Sequence, residues 1–378
     1  MTGPERCDVA VLGAGPAGCA TALALARNTA WRIGLIDPGV APGPRVGETL
    51  LPDTRLVLEQ LGVLDAFLEQ GHASCLGSCS AWGSAILGFN DFLLSPNALG
   101  WHLDRRRFDA FLLDQAAARP QVRCLPSRFE ACAPLAGGGF ALRLADRQGA
   151  GAVLEARIVV DATGQRAAFA RRAGARQLYL DRLMFAYGFF DTGAASSSAR
   201  LTVLEAAPSG WWYAAQLPDA RLAVACATDP DLLRRDGLGG DDAWLVRVLA
   251  TAHIAARLDG CRFLRGSLSI RPAISGMLDA VAGAHWLAVG DAAAVYDPLA
   301  AQGIHKALSD GLRAAAAIDA ALGADGVLAP GYGAGAAERF EQYRTNRNYF
   351  YGLERRWERD TFWQRRHART ELQPARRH

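Results

Sequence analysis

The sequence predicts an α/β fold joined to an antiparallel sheet and closed by a helical C-terminus, and three observations carry this. At the start, "CDVAVLGAGPAGCATALALAR" is an apolar, β-branched run, then a glycine-rich turn, then a helix with apolar spacing. The middle of the chain, "ARLTVLEAAPSGWWYAAQLPDARLAVACAT", reads as antiparallel strands joined by "PSG" and "PDA" turns. From about Tyr332 the spacing is helical and rich in arginine and aromatics. With 378 residues, the chain is too long for one small core, so one large or two interleaved domains are expected.

Taken in order, the first element is a phosphate site. Gly13 makes a tight turn, Gly15 lets backbone approach a pyrophosphate, and Gly18 lets the helix pack close to the strand; Pro16 and Ala17 open the helix whose N-terminus faces the anion. "WRIGLID" supplies a second strand ending in Asp37, placed to hold a ribose 2′-hydroxyl, which favours an adenosine ribose without a 2′-phosphate. This is a Rossmann-like dinucleotide domain, and FAD and NAD both fit it. Next, "RVGETLLPDTRLVLEQLGV" carries Arg45, Gly47, Glu48, Thr49 and Pro52 into a helix. "LGWHLDRRRFDAFLLDQAA" places Arg105 at the head of an amphipathic helix, and "ARIVVDATG" is a strand running into Asp161 and Gly164. Late in the chain, "GDAAAVYDPLAAQG" sets Gly290 and Asp291 after an apolar strand and Gln302, Gly303 and Ile304 at the mouth of an alanine-rich helix. A carboxylate at the carboxyl end of a strand, followed by a glycine at a helix N-terminus, points to a polar and partly anionic ligand between them.

The expected organisation is a discontinuous nucleotide-binding domain from 1–75, 100–175 and 265–325. A β-rich substrate domain takes 76–99 and 176–264, a helical segment takes 326–378, and "TGAASSSAR" at 192–200 reads as a flexible loop. The net charge of +3 gives no field that argues for nucleic acid. No apolar run approaches membrane-spanning length, and the start lacks a signal-peptide core, so a cytoplasmic protein without a membrane span is expected. The eight cysteines are scattered and read as reduced thiols, and no metal-ligand spacing is present. Lys306 is the only lysine.

In this order, the N-terminal fingerprint, the middle arginine motif and the late Gly-Asp resemble the flavoprotein monooxygenase superfamily with the glutathione-reductase-type FAD fold. That group holds the aromatic hydroxylases, the flavin-dependent halogenases and the geranylgeranyl reductases. The resemblance implies FAD as cofactor. Asp291 would bond the ribityl chain, Pro298 would lie over the reacting face, and the Gly303 and Ile304 amides would meet the negative pole of reduced flavin. "RVGETLLP" looks like the halogenase branch, where this loop contacts flavin, here through Arg45 and Glu48. The halogenases also use a lysine between flavin and substrate, and the corresponding "EQGHASCLGSCSAWGSAILGF" has none. Their Trp-x-Trp-x-Ile-Pro motif is degraded to Trp211–Pro218.

With the tail "LERRWERDTFWQRRH", the chain looks most like the flavoproteins that hydroxylate a tryptophan of a partner protein during quinone-cofactor maturation. The implied activity is an FAD-dependent monooxygenase acting through a flavin C4a-hydroperoxide on an aromatic small molecule or a protein-bound tryptophan. Dioxygen is the co-substrate, and NAD(P)H or a separate flavin reductase is the electron donor. Halogenation and isoprenoid-type reduction are the alternatives. Glu48, His305 and Pro298 are the candidate catalytic residues, with His72 and His102 as further proton carriers. Trp82, Trp211, Trp212 and Tyr213 are candidates for the substrate wall, with sheet packing as the competing role. Arg355, Arg356, Arg365 and Arg366 either dock an acidic partner or form a solvated helical face.

Overall fold

Val9, Ala10, Val11 and Leu12 are all buried, and a strand with no polar face belongs in a sheet covered on both sides. In the computed structural model, which describes residues 5–39, 47–97, 99–146, 148–193, 200–368 and 371–374, strand Glu5–Leu12 is central in such a sheet. It runs parallel to Gly151–Asp161 on one side and Ile33–Ile36 on the other, with Val122–Leu125 and Trp286–Ala288 beyond them. Phe140–Ala145 folds back on Gly151–Asp161 as a hairpin, and Arg128–Pro134 extends it. Arg45 and most of the 192–200 loop lie outside the described residues.

Helices Pro16–Asn28, Arg105–Ala117 and Gly303–Leu322 share one core with this sheet through Leu23, Leu25, Leu112, Leu308 and Ile318. The first helix can sit this close because Gly13 turns at φ +107° and because Gly18 carries no Cβ, which would collide with the Gly13 carbonyl oxygen.

A second sheet stands across from the first. Its order is Arg262–Phe263, Met184–Asp191, Arg221–Thr228, Gly210–Gln216, Leu201–Ala207, Gly77–Ala81 and Gly88–Asp91, with Ser269–Pro272 also pairing to Met184–Asp191. The period of two divides its side chains. Ala186, Phe190, Trp212 and Val224 pack under helices Pro230–Arg235, Asp241–Leu249 and His253–Arg257, while Phe185, Tyr187, Trp211 and Ala225 face the other way.

Two expected boundaries shift. Ser269–Pro272 belongs to the second sheet, so a division at 265 falls too early; its edge pairing to Met184–Asp191 decides this. Gln177–Tyr179, expected on the substrate side, pairs instead with Gly276–Leu278 in a small sheet that also takes Gln373–Pro374. Among the described residues no helix is long and apolar enough to cross a membrane.

Candidate active site

A cavity of about 310 Å³ lies between the two sheets. Its first wall is made by Gly15, Pro16 and Ala17, then Gly47, Glu48 and Thr49, then Arg105, Gly164, Asp291, Pro298, Gly303 and Ile304. A Cβ added at Gly15, Gly164 or Gly303 would meet nothing within 4 Å, so backbone is laid open to whatever occupies the space. Two long helices end here, Pro16–Asn28 at Gly15 and Gly303–Leu322 at Gln302, and neither N-cap side chain caps its helix. Both N-termini therefore keep amides for anionic groups, one suited to a pyrophosphate and the other to the electron-rich edge of a flavin. The donor set fits FAD. Burial pushes the Asp291 carboxyl above the usual range, partly opposed by Lys306 and Arg105.

The other expected cofactor residues stand behind this wall. Gly13 and Gly18 shape the turn, and Gly290, at φ +58°, brings its turn against Ala17. Gln302 is the helix N-cap. Asp37 ends its strand beside the glycine turn, where its carboxylate accepts from the Ala14 N–H (2.7 Å) and the Gly39 N–H (2.6 Å).

The second wall is a trough. Ala223 and Ala225 pair with Ala215 and Tyr213 on one side and with Phe189 and Tyr187 on the other, so a patch of methyls is flanked by Tyr213 on one side and by Phe189 and Tyr187 on the other. Phe185, Tyr187, Tyr213, Ala223 and Ala225 line the cavity, and Arg271, Pro272 and Ala273 complete it. Phe185, Tyr187, the alanines and Arg271 belong to no sequence motif. The alternating alanines of "RLAVACAT" were the available signal.

Of the aromatic candidates only Tyr213 reaches the cavity. Trp211 shares its face but is fully buried and donates its indole N–H to Tyr351 OH (3.0 Å). Trp212, one residue on, must point to the opposite face, where it packs on Trp244. Trp82 packs against Trp211, Tyr351 and Trp363.

The histidines are corrected too. His305 follows Ile304 on the helix, about 100° around it, and its Nδ1 meets Thr54 Oγ1 (3.2 Å) instead of the cavity. His72 stacks on Phe67 away from the site. His102 is buried behind the wall with Nε2 on Thr202 Oγ1 (3.0 Å), and burial lowers its pKa to about 4. The tail arginines all pair within the chain: Arg366 with Asp229, Arg365 with Asp229 and Asp231, and Arg356 with Glu354. Arg355 is exposed and pairs with Glu358.

Two buried carboxyls flank the cavity. Glu48 is 4% exposed, its Oε2 accepts from Tyr213 OH (3.3 Å), and its Oε1 has no hydrogen-bond partner among the described residues. Burial pushes its carboxyl above the usual range, against the backbone at Gly47 and Glu48 and the Arg105 guanidinium. Asp297, beside Pro298, accepts from Tyr351 OH (2.6 Å) and the Leu299 N–H (2.9 Å), with Arg347 3.6 Å away. Lys306 is also buried: its ammonium donates to the Gly290 carbonyl (2.8 Å) and to Asp310 (2.9 Å), under the ring of Tyr296.

Known proteins can be set beside this geometry. Residues 8–84 match the family model described as tryptophan halogenase. A putative FAD-dependent oxidoreductase of Marinomonas mediterranea, LodB, is 28% identical over 98% of this chain and 100% of its own length. The chain is an FAD-dependent oxidoreductase. The flavin-dependent halogenase gsfI of Penicillium aethiopicum is 25% identical to the oxidoreductase over 86% of this chain and 66% of its own. Among solved structures, the halogenase CmlS superposes with a TM-score of 0.83 at 25% identity, covering 97% of this chain and 68% of that one. The peptidyl tryptophan dihydroxylase QhpG superposes with a TM-score of 0.74 at 24% identity, covering 96% and 79%, which shows the shared fold. These comparisons support the flavin-dependent halogenase and FAD-dependent oxidoreductase superfamily. They point to halogenases more directly than to hydroxylases, which reverses the order expected from the sequence.

Proposed function

We propose that this oxidoreductase hydroxylates an electron-rich aromatic ring, an indole above all, including the side chain of a tryptophan carried by a partner protein. Bound FAD supplies two-electron activation of dioxygen, with reducing equivalents from NAD(P)H or a separate flavin reductase. One oxygen atom enters a ring C–H bond, and the other leaves as water, consuming one hydride equivalent and one proton. The chain's own part is positioning. Gly15 and the first helix hold the pyrophosphate, Asp291 the ribityl chain, and Gly303 and Ile304 the flavin's electron-rich edge. The alanines of the trough admit a flat ring between Tyr213 and the Phe185 and Tyr187 side, and Glu48 is a carboxyl of the wall that can meet it.

The observation that carries hydroxylation over halogenation is Lys306. It is the only amine side chain in the sequence, and two short hydrogen bonds lock it under the Gly290 turn, outside the trough. Halogenation stands as the second reading, favoured by the tryptophan halogenase match at residues 8–84 and by the likeness to gsfI and CmlS.

Incubating the reduced holoenzyme with oxygen, indoles or tryptophan-containing proteins, with and without chloride or bromide, separates the two by product mass. Gain of one oxygen regardless of halide supports hydroxylation; replacement of hydrogen by halogen overturns it. Turnover without oxygen would overturn both in favour of a reductase. Gly15→Val is expected to fold and to lose FAD, read by flavin absorbance of the purified protein; a variant retaining stoichiometric flavin would remove Gly15 from the pyrophosphate site.

A further inference from the structure

A hydrogen-bonded chain leaves the cavity and runs into the core across the seam between the second sheet and the short strands Thr49–Leu50 and Gly100–His102. Tyr213 OH donates to Glu48 Oε2 (3.3 Å) and lies 3.1 Å from Thr49 Oγ1; Thr49 Oγ1 lies 3.0 Å from Thr202 Oγ1, which lies 3.0 Å from His102 Nε2. Every interior member is a hydroxyl, able to donate and accept at once, so the donor direction of the whole chain can reverse. Both ends are groups that gain or lose a proton. The cavity end is also incomplete, because Glu48 Oε1 has no hydrogen-bond partner among the described residues despite its burial.

We propose that these five groups form a proton relay in which Glu48 Oε1 takes the proton that the aromatic ring sheds once its new substituent is attached, while Oε2 passes one through Tyr213, Thr49 and Thr202 to His102. This rests on the reading of the cavity as an aromatic-modifying site, and it serves hydroxylation and halogenation alike. The ring C–H bond breaks, and its electron pair returns to the ring. With Glu48 a neutral acid, the chain is turned so that Oε2–H donates to Tyr213; an O–H bond then forms at Oε1, the O–H bonds of Oε2, Tyr213, Thr49 and Thr202 each pass their proton one place along, and an N–H bond forms at Nε2. The ring cation becomes neutral, His102 becomes imidazolium, and Glu48 is again a neutral acid.

Burial supports the starting state. It favours the protonated form of Glu48 against the pull of Arg105, and it holds His102 neutral, with Arg257 acting in the same direction. A ring that has lost its aromaticity is a far stronger acid than imidazolium, so the transfer runs downhill even onto His102. Water does not have to enter the trough to collect the proton.

Thr202→Val cuts the relay with little change in volume, and Thr202→Ser keeps the hydroxyl. In the holoenzyme, Thr202→Val is expected to lower kcat for product formation at least about tenfold, with KM and FAD affinity within about twofold, and Thr202→Ser to restore it. A second readout needs no turnover: histidine-selective nitrogen NMR of the holoenzyme, with the His102 signal assigned by its loss in His102→Asn. Glu48→Gln should move the His102 Nε2 resonance in the parent chain and leave it unmoved in the Thr202→Val background. An equal shift in both backgrounds, or a shift in neither, overturns the relay. Coupling between Glu48 and His102 without product from any aromatic instead overturns the functional reading and leaves the proton path standing.

Discussion

Glu48 lines the cavity and Asp297 stands beside its lining residue Pro298; both are buried, and burial pushes both carboxyls above the usual range. They differ in what surrounds them. Asp297 accepts from Tyr351 and Leu299 and faces Arg347, whose guanidinium is in turn fixed on Asp181 at 2.6 Å. Glu48 has one long bond to Tyr213 and an oxygen with no partner among the described residues. A buried carboxyl with its partners in place ties elements together, here the long helix Gly331–Leu353 to the loop at Pro298. One left half-filled keeps its capacity to exchange a proton.

Substitutions on each side test that contrast. Asp297→Ala should be the most damaging, costing about 3 kcal/mol in chemical denaturation, the low end for breaking a buried pair because Asp181 still faces Arg347. If it were neutral, the network would not be what anchors the loop. Glu48→Gln should cost stability little but lower kcat about a hundredfold, some 2.7 kcal/mol in the barrier, with flavin retained. Loss of flavin with unchanged turnover per bound FAD would make Glu48 a cofactor residue only.

The same substitution has a pH signature. A carboxyl with a raised pKa binds its proton more tightly in the folded state, so its contribution is fully present below the ordinary carboxylate range and is lost as pH rises through the folded value. The denaturation midpoint of Glu48→Gln should therefore gain on the parent as pH rises across that window; a constant difference would mean that Glu48 titrates normally. Smallest of all, Tyr351→Phe should cost about 2 kcal/mol in the denaturation midpoint, because the hydroxyl both donates to Asp297 and accepts from the Trp211 indole N–H, which would be left buried without a partner.

The two walls were not equally legible in the sequence. Gly13, Gly15 and Gly18 are contiguous, and each is needed for what backbone must do at a pyrophosphate, so spacing alone reveals them. The same holds at Gly303, where a glycine at a helix N-terminus follows a Gly-Asp turn. The trough comes from residues 185, 187, 213, 223–225 and 271–273, brought together only by strand pairing. Alternation shows that Trp211 and Trp212 point opposite ways, but not that Tyr351 occupies the space in front of Trp211. His305 looked like an active-site residue by adjacency to Ile304, and one helical step turned it toward Thr54. Thr202 carried no sequence signal, because a threonine in a strand is ordinary until His102 lies beside it.

The single lysine gives this molecule a built-in reporter. An amine-selective label has one side chain to find, and it is 9% exposed and bonded to the Gly290 carbonyl. Modification of Lys306 requires the Gly290 turn to come loose, so the rate at which the side chain is labelled measures how often that turn opens, and slower labelling with FAD present would measure how firmly the cofactor holds it shut.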